Sequence, residues 1–431
     1  MKTYVLSLLI PLSLGASLSA SAQTWSTVGG EFNSHINALY EYNDKLYIGG
    51  NFTSIDGMAA YGLAEWNGTS ISDRNTTLVD GLGVSNFGTY QGKLMAVGAF
   101  FHGAFGPAFV AEWDGTDFVN SAYRLNANVY DILVVGDEFY VVGYFDSFEG
   151  TNYRHVAKFT DGNYETVGDG FDLPIGDLIM YDGYVTAGGG NGDQLTYFNG
   201  TAWTDIGTNG PAGANMAEFQ GDLYAVGCFD DAVDGTARYI ARWDGTTWHD
   251  VGGGLTGGLN CARAILATPD YLYVAGQFTA AGGVPVENIA KWDGTSWSAV
   301  GDGLPGEIIQ CLAIYKDHLY AGPTAMAFTN HLYKFNDEII ISSVDEMQKP
   351  ALTFSLSPNP ASASIHWQIF SDETQSYFLQ ITDMSGRIIL ALNSMEQNGG
   401  IDLSDFSDGM YLAKCTAENG ETAAKMFVVS K

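Results

Sequence analysis

Short apolar runs, some alternating with polar residues and some continuous, recur along the whole chain. Clusters of Gly, Asp, Asn and Thr separate them. This pattern predicts many short β-strands joined by tight turns, and no long helical periodicity competes with it. The organising stretch is residues 288–304, which read as strand, turn, strand. Trp292 closes one run, Asp293-Gly294 has the chemistry of a two-residue type I′ turn, and Trp297 opens the next run. The phrase returns as Trp243-Asp244-Gly245-Thr246-Thr247-Trp248, as Phe198-Asn199-Gly200-Thr201-Ala202-Trp203 and as Trp113-Asp114-Gly115-Thr116-Asp117-Phe118. Looser copies begin at Trp66 and Phe159.

A second landmark, an apolar run ending in glycine, precedes each phrase. Examples are Leu46-Tyr47-Ile48-Gly49-Gly50, Phe139-Tyr140-Val141-Val142-Gly143, Leu223-Tyr224-Ala225-Val226-Gly227 and Leu272-Tyr273-Val274-Ala275-Gly276. Degenerate versions stand at 94–100, 184–189 and 319–322, which makes seven units of roughly forty-odd residues. In the sixth unit four strands are predicted, at 259–267, 271–278, 287–292 and 296–301, in an antiparallel meander. The seventh unit lacks the final Gly-Thr-x-Trp phrase. Residues 24–29 (Thr-Trp-Ser-Thr-Val-Gly) match 296–301 almost residue for residue, so this N-terminal strand is predicted to complete the last unit beside 331–335. Residues 338–342 compete for the same place. Closure of that kind hides an edge strand.

The glycine pairs and later tryptophans resemble kelch-type, galactose-oxidase-like repeats. They are still closer to bacterial and fungal cell-surface repeats that carry GG-x-F-T and I-A-x-W-D-G-x-x-W. The resemblance covers residues 24–342 and implies an all-β chain with a seven-bladed β-propeller of four-stranded blades over 23–343. It says little about function, because propellers host unrelated activities.

Composition shifts at 344–352, a linker, and new alternating runs fill 353–431: 353–356, 364–369, 377–383, 387–392, 409–417 and 424–429. They predict a small Ig-like β-sandwich. Pro358-Asn359-Pro360, Gly386-Arg387, Gly409-Met410-Tyr411, Lys425 and the final Lys431 resemble the type A C-terminal sorting domain of the type IX secretion system. The resemblance implies export across the outer membrane of a Gram-negative, Bacteroidetes-type bacterium, with the secretion machinery as partner. The mature protein is then released or anchored at the surface.

The other end carries a signal-peptide pattern. Lys2 and an apolar run precede Ala20-Ser21-Ala22, so cleavage is expected between Ala22 and Gln23, and no transmembrane segment is expected. The formal charge of −31, with 18 Lys and Arg against 49 Asp and Glu, argues against nucleic acid as a partner. Four cysteines (228, 261, 311, 415) show no zinc spacing. Cys261 and Cys311 occupy equivalent positions in successive units, where a disulfide is disfavoured and buried thiols are expected.

Little catalytic chemistry is legible. The histidines are scattered, and no nucleophile elbow or phosphate loop is present. The Asp-Gly and Asn-Gly positions read as turn formers rather than metal ligands. Asp230, Asp231 and Asp234 form the densest acidic cluster and are the candidate for a calcium ion. No other cofactor is expected. Length varies in the loops between second and third strands and between units, and in a meander these emerge on one side. That side is the candidate ligand face, with Phe101, Phe105 and Tyr153 as aromatic anchors beside Asp230, Asp231 and Asp234. The expected function is a secreted or surface binding or adhesion module for an extracellular protein or glycan. The alternative is a carbohydrate-active lyase or oxidase.

Overall fold

The structure, a computed structural model, describes residues 24–73, 78–102, 106–115, 117–120, 125–148, 151–160, 162–188, 195–211, 215–230, 232–258, 261–324, 330–339, 353–357, 363–370, 376–383, 387–394, 398–407, 409–418, 422–429 and 431. The expected leader with Ala22 and Gln23, the linker, and Pro358, Asn359, Pro360 and Gly386 lie outside these residues. The chain is all-β, with one short helix, Ala232–Gly235, among the described residues. Among the described residues no helix is long and apolar enough to cross a membrane.

Among the described residues, six of the seven units form four-stranded antiparallel sheets, and the strands of the seventh belong to a six-stranded sheet that also takes in Trp25–Phe32, Ser54–Ile55 and Met58–Ala59. In each of those six the strands lie side by side in chain order. The sixth, for example, runs Cys261–Ala267, Leu272–Gln277, Ile289–Trp292 and Trp297–Ala299. The first strands of successive sheets adjoin one another: Ile36–Tyr42, Leu78–Tyr90, Val129–Val135, Asp177–Tyr181, Asn215–Phe219, Cys261–Ala267 and Ile308–Tyr315. The last of these adjoins the first, so the cycle is closed.

The seventh sheet is completed from the far end of the chain. Trp25–Phe32 pairs antiparallel with Asn330–Phe335, from Trp25 opposite Phe335 to Phe32 opposite Asn330. A side-chain latch repeats between sheets and shows why this strand belongs there. The indole N–H of Trp203 donates to the carbonyl of Val167, that of Trp248 to Ile206 and that of Trp297 to Val251, at 3.0, 2.7 and 3.0 Å. Each acceptor lies just past the fourth strand of the preceding sheet. Trp25 makes the same bond to Val300 at 3.1 Å. The repeated Trp-x-x-Val/Ile-Gly is therefore both ends of one contact.

The glycine landmark has an equally local cause. A Cβ at Gly50, Gly98, Gly143 or Gly276 would lie 2.1–2.3 Å from a backbone carbonyl in or directly before the unit's first strand, namely that of His35, Gly83, Asn128 or Cys261. Only glycine permits so close an approach.

The repeated Asp-Gly phrase departs from the expected two-residue turn. Trp292 pairs with Trp297, which leaves four residues between them, and of Asp293 and Gly294 only the glycine takes a positive φ, 97°. The aspartate acts through its side chain. Its carboxylate accepts the N–H groups of Thr295 and Ser296, both at 2.7 Å, and both hydroxyls at 2.8 Å. Asp244, Asn199 and Asn67 do the same in their own phrases. These donors, the threonine hydroxyls first, hold the carboxyls of Asp293 and Asp244 well below the usual range.

The cysteines depart from expectation too. Cys228 and Cys261 form a disulfide, with Cα atoms 4.4 Å apart. It joins the end of the fifth sheet's second strand to the start of the sixth sheet's first strand. Neighbouring-unit residues come this close here because Ala262 N–H also donates to the Gly227 carbonyl. Cys311 and Cys415 are buried thiols.

In the tail, sheets of three and four strands share one core built from Ile365, Trp367 and Ile401 on one side and Leu379, Ile381, Ala413 and Phe427 on the other. Tyr411 locks a corner. Its hydroxyl donates to the Ser407 carbonyl at 2.9 Å, and its ring stacks on Phe427 at 5.6 Å. Gly409 takes a φ of 148°, Arg387 and Lys425 are exposed, and Lys431 donates to the Ser404 carbonyl at 2.6 Å. One strand, Asn398–Asp402, was hidden by its two glycines. A Cβ at Gly399 would meet the Trp367 indole at 2.6 Å, so the packing demands what strand propensity disfavours.

Candidate functional site

Ladder hydrogen bonds stop at the edge of each sheet, and side chains link the inner cycle from one sheet to the next. Every one of its seven junctions is stitched. Asn37 donates to the Val84 carbonyl at 3.2 Å, and Asn86 donates to the Asp131 carboxylate at 2.6 Å. Asp131 accepts Leu178 N–H at 2.7 Å, and Asp177 accepts Met216 N–H at 2.9 Å. Asn215 donates to the Arg263 carbonyl, Arg263 Nη1 to Gln310 Oε1 at 3.4 Å, and the Cys311 thiol to the Ile36 carbonyl at 3.6 Å.

The cycle encloses a cavity of about 390 Å³ lined from all seven first strands. Its wall is polar: Asn37, Ser85, Asn86, Tyr130, Asp177, Asn215, Arg263 and Gln310 all contribute. Asn37, Ser85, Tyr130, Arg263 and Gln310 are each the extra residue where the pairing of a first strand with its neighbour shifts register. Such bulges re-aim a side chain that regular pairing would place elsewhere. In the sequence these residues look like ordinary polar positions of β-strands, and they lie far apart in the chain.

Two carboxyls in this cycle are perturbed. Burial raises Asp131, although the N–H groups of Leu178 and Ile132 and the Asn86 amide pull the other way. Burial, and then repulsion from Asp131, raises Asp177 well above the usual range. A carboxyl raised on folding favours the folded state when protonated, so its contribution is largest at low pH and is lost as pH climbs through the raised value. Asp177→Asn should therefore flatten the decline of stability as pH rises above the ordinary aspartate range, and urea denaturation across a pH series reads it directly. An unchanged pH slope in the variant would remove Asp177 from the account.

The loop residues singled out by sequence are placed differently. Tyr153 is not a surface anchor. It is 5% exposed in a core with Phe139, Phe145 and Phe159, because its hydroxyl finds the Tyr164 carbonyl at 3.3 Å while its ring packs inward. Phe101 lies not in a loop but in the strand Lys93–His102, opposite Pro107 of Gly106–Trp113. Asp230 is exposed, Asp234 lies in the helix Ala232–Gly235, and Phe105 and Asp231 fall outside the described residues. Among the described residues no three His, Cys, Asp or Glu side chains converge on a possible metal position. The two sets of long loops do meet. Phe171 N–H donates to the Arg154 carbonyl, Gly282 N–H to Gly254 and Leu304 N–H to Glu287, and Arg154 pairs with Asp172.

No curated protein matches the sequence. Among solved structures, similarity extends to the extracellular domain of the hybrid two component system BT4673 from B. thetaiotaomicron, at 12% identity and a TM-score of 0.48. The match covers 95% of this chain and 58% of that one, so the chain spans a little over half of its length. PorZ, a surface component of the type-IX secretion system of Porphyromonas gingivalis, is similar at 14% identity and a TM-score of 0.34, over 90% of this chain and 64% of that one. YjhT is similar at 13% identity and a TM-score of 0.33, over 71% and 94%. The tail is assigned by family: residues 355–430 match the secretion system C-terminal sorting domain, and this part of the chain is such a domain.

Proposed function

We propose that the cyclic part of the chain is a seven-bladed β-propeller that serves as a secreted or surface-displayed binding module, exported by the type IX machinery through its sorting tail. The observation that supports binding is the central cavity, where seven separate strands converge polar side chains on one volume. Amides predominate there, and Asn37, Asn86, Asn215 and Gln310 recognise hydrogen-bonding groups without changing charge. That is the equipment of a receptor for a polar ligand such as a sugar. Asp177 favours a second reading, a carbohydrate-active enzyme, because burial and repulsion from Asp131 push its carboxyl upward, the direction a general acid needs.

Arrays of glycans and extracellular proteins probed with the full chain test both readings. A ligand should emerge whose binding falls at least about tenfold, near 1.4 kcal/mol, in Gln310→Ala, while Asp230→Ala on the exposed loop leaves it unchanged. The reverse ranking would move the site to the loop face. Turnover of that ligand, lost in Asp177→Asn, would decide for the enzyme.

A further inference from the structure

We infer that the central cavity recognises a small, hydroxylated monocarboxylate, with the Arg263 guanidinium as its anchor. This rests on the cavity being the binding site proposed above. Arg263 is the extra residue of its strand's bulge, and that re-aims its side chain at the cavity. A guanidinium carries five N–H donors. Nη1 reaches Gln310 Oε1 at 3.4 Å, the long end of a hydrogen bond, and Nε is buried with no hydrogen-bond partner. The Asn215 amide binds the backbone carbonyl of Arg263, which fixes the strand but does nothing for the charge.

The ion pairs elsewhere sharpen the point. Lys45, Lys93, Arg154, Lys158 and Arg242 are each matched to a carboxylate, whereas no ion pair among the described residues includes Arg263. With 49 acidic residues against 18 basic ones, a carboxylate partner was easy to supply within the chain. A half-used guanidinium with a buried, unbonded Nε costs stability unless something pairs with it. Its planar fork matches a carboxylate with two parallel hydrogen bonds.

Charge and size narrow the ligand. The chain carries −31, so a dianion such as phosphate would meet more repulsion than a monoanion. The remaining amides and hydroxyls offer partners to sugar-like hydroxyl groups. A volume of about 390 Å³ is at the small end of ligand pockets, which suits one uronic acid or hydroxy acid.

The test is thermal unfolding and calorimetric titration of the full chain with D-glucuronate, D-galacturonate and L-lactate, each beside its methyl ester. At least one acid should raise the unfolding midpoint in a concentration-dependent way while its ester does not. Arg263→Gln should abolish the shift, and Arg263→Lys, which keeps charge but loses the fork, should weaken binding by roughly an order of magnitude. Without ligand, Arg263→Gln should unfold no earlier than the parent, because it removes an uncompensated charge. A merely structural arginine would lower that midpoint. Binding by none of the acids, equal binding of acid and ester, or retained binding in Arg263→Gln would each overturn the assignment. A ligand that needs Gln310 but not Arg263 overturns the carboxylate alone and leaves the cavity standing. A ligand indifferent to both residues overturns the cavity as well.

Discussion

Removal of residues 353–431 is expected to abolish delivery of the protein to the cell surface or medium while the cyclic part accumulates, folded, in the periplasm. The two halves of that expectation have separate causes. Export fails because residues 355–430 are the sorting domain. Folding survives because the tail's core is made of its own residues, from Ile365 and Trp367 to Phe427 and Val429. The cores of the cyclic part draw none of their members from it. Cell fractionation followed by limited proteolysis of the retained species measures both. Truncated protein in the medium at the parent's level would refute the sorting role. Rapid degradation of the retained species would refute the independence of the cores.

The architecture was legible in the sequence because the same contact is made again and again. The Trp-x-x-Val/Ile-Gly series repeats because each tryptophan reaches the residue three places after its counterpart in the previous unit, as Trp248 does with Ile206. That identity let residues 24–29 be assigned to the last unit before any pairing was known. The Cys228–Cys261 disulfide was not legible. Neighbouring sheets hold equivalent strand positions such as Cys261 and Cys311 apart, whereas the bridge joins a strand end to the next unit's strand start. Tyr153 misled because a tyrosine in a long, variable loop looks exposed, and only the packing shows the loop folding it back onto Phe159 and Tyr164. The cavity was missed for a different reason. Arg263 and Gln310 look like ordinary polar positions of alternating strands, and a bulge that turns them inward leaves no mark in the local sequence. Side chains that converge from seven strands are far apart in the chain, so no spacing announces them.

Loss of the closing strand should be the most damaging change to the cyclic part. Ser26 and Asn336, 310 residues apart, hydrogen-bond at 2.7 Å, and holding such distant ends together costs about 5 kcal/mol of loop entropy from the logarithmic term alone. A few residues offset it. Phe32 is fully buried against Phe52, Ile36 and Ile55, with the Phe52 ring centre 4.9 Å away, and contributes about 1.5–3 kcal/mol. Trp25 adds its packing on Phe335 at 5.2 Å and its bond to Val300, and ladder bonds to Asn330–Phe335 add about 0.5–1.5 kcal/mol each. Phe32→Ala should therefore cost about 3–5 kcal/mol in chemical denaturation, as a buried phenylalanine with little room to collapse does. A chain beginning at residue 33 loses all of these terms together. It also exposes the Asn330–Phe335 edge, with Leu332 and Phe335 no longer covered, so it should unfold at much lower denaturant and self-associate through that edge. Size-exclusion chromatography beside the denaturation curve separates the two effects. A monomer with the parent's midpoint would show that the cycle is held shut by its side-chain stitches alone, and that the N-terminal strand is an ornament on a ring already closed.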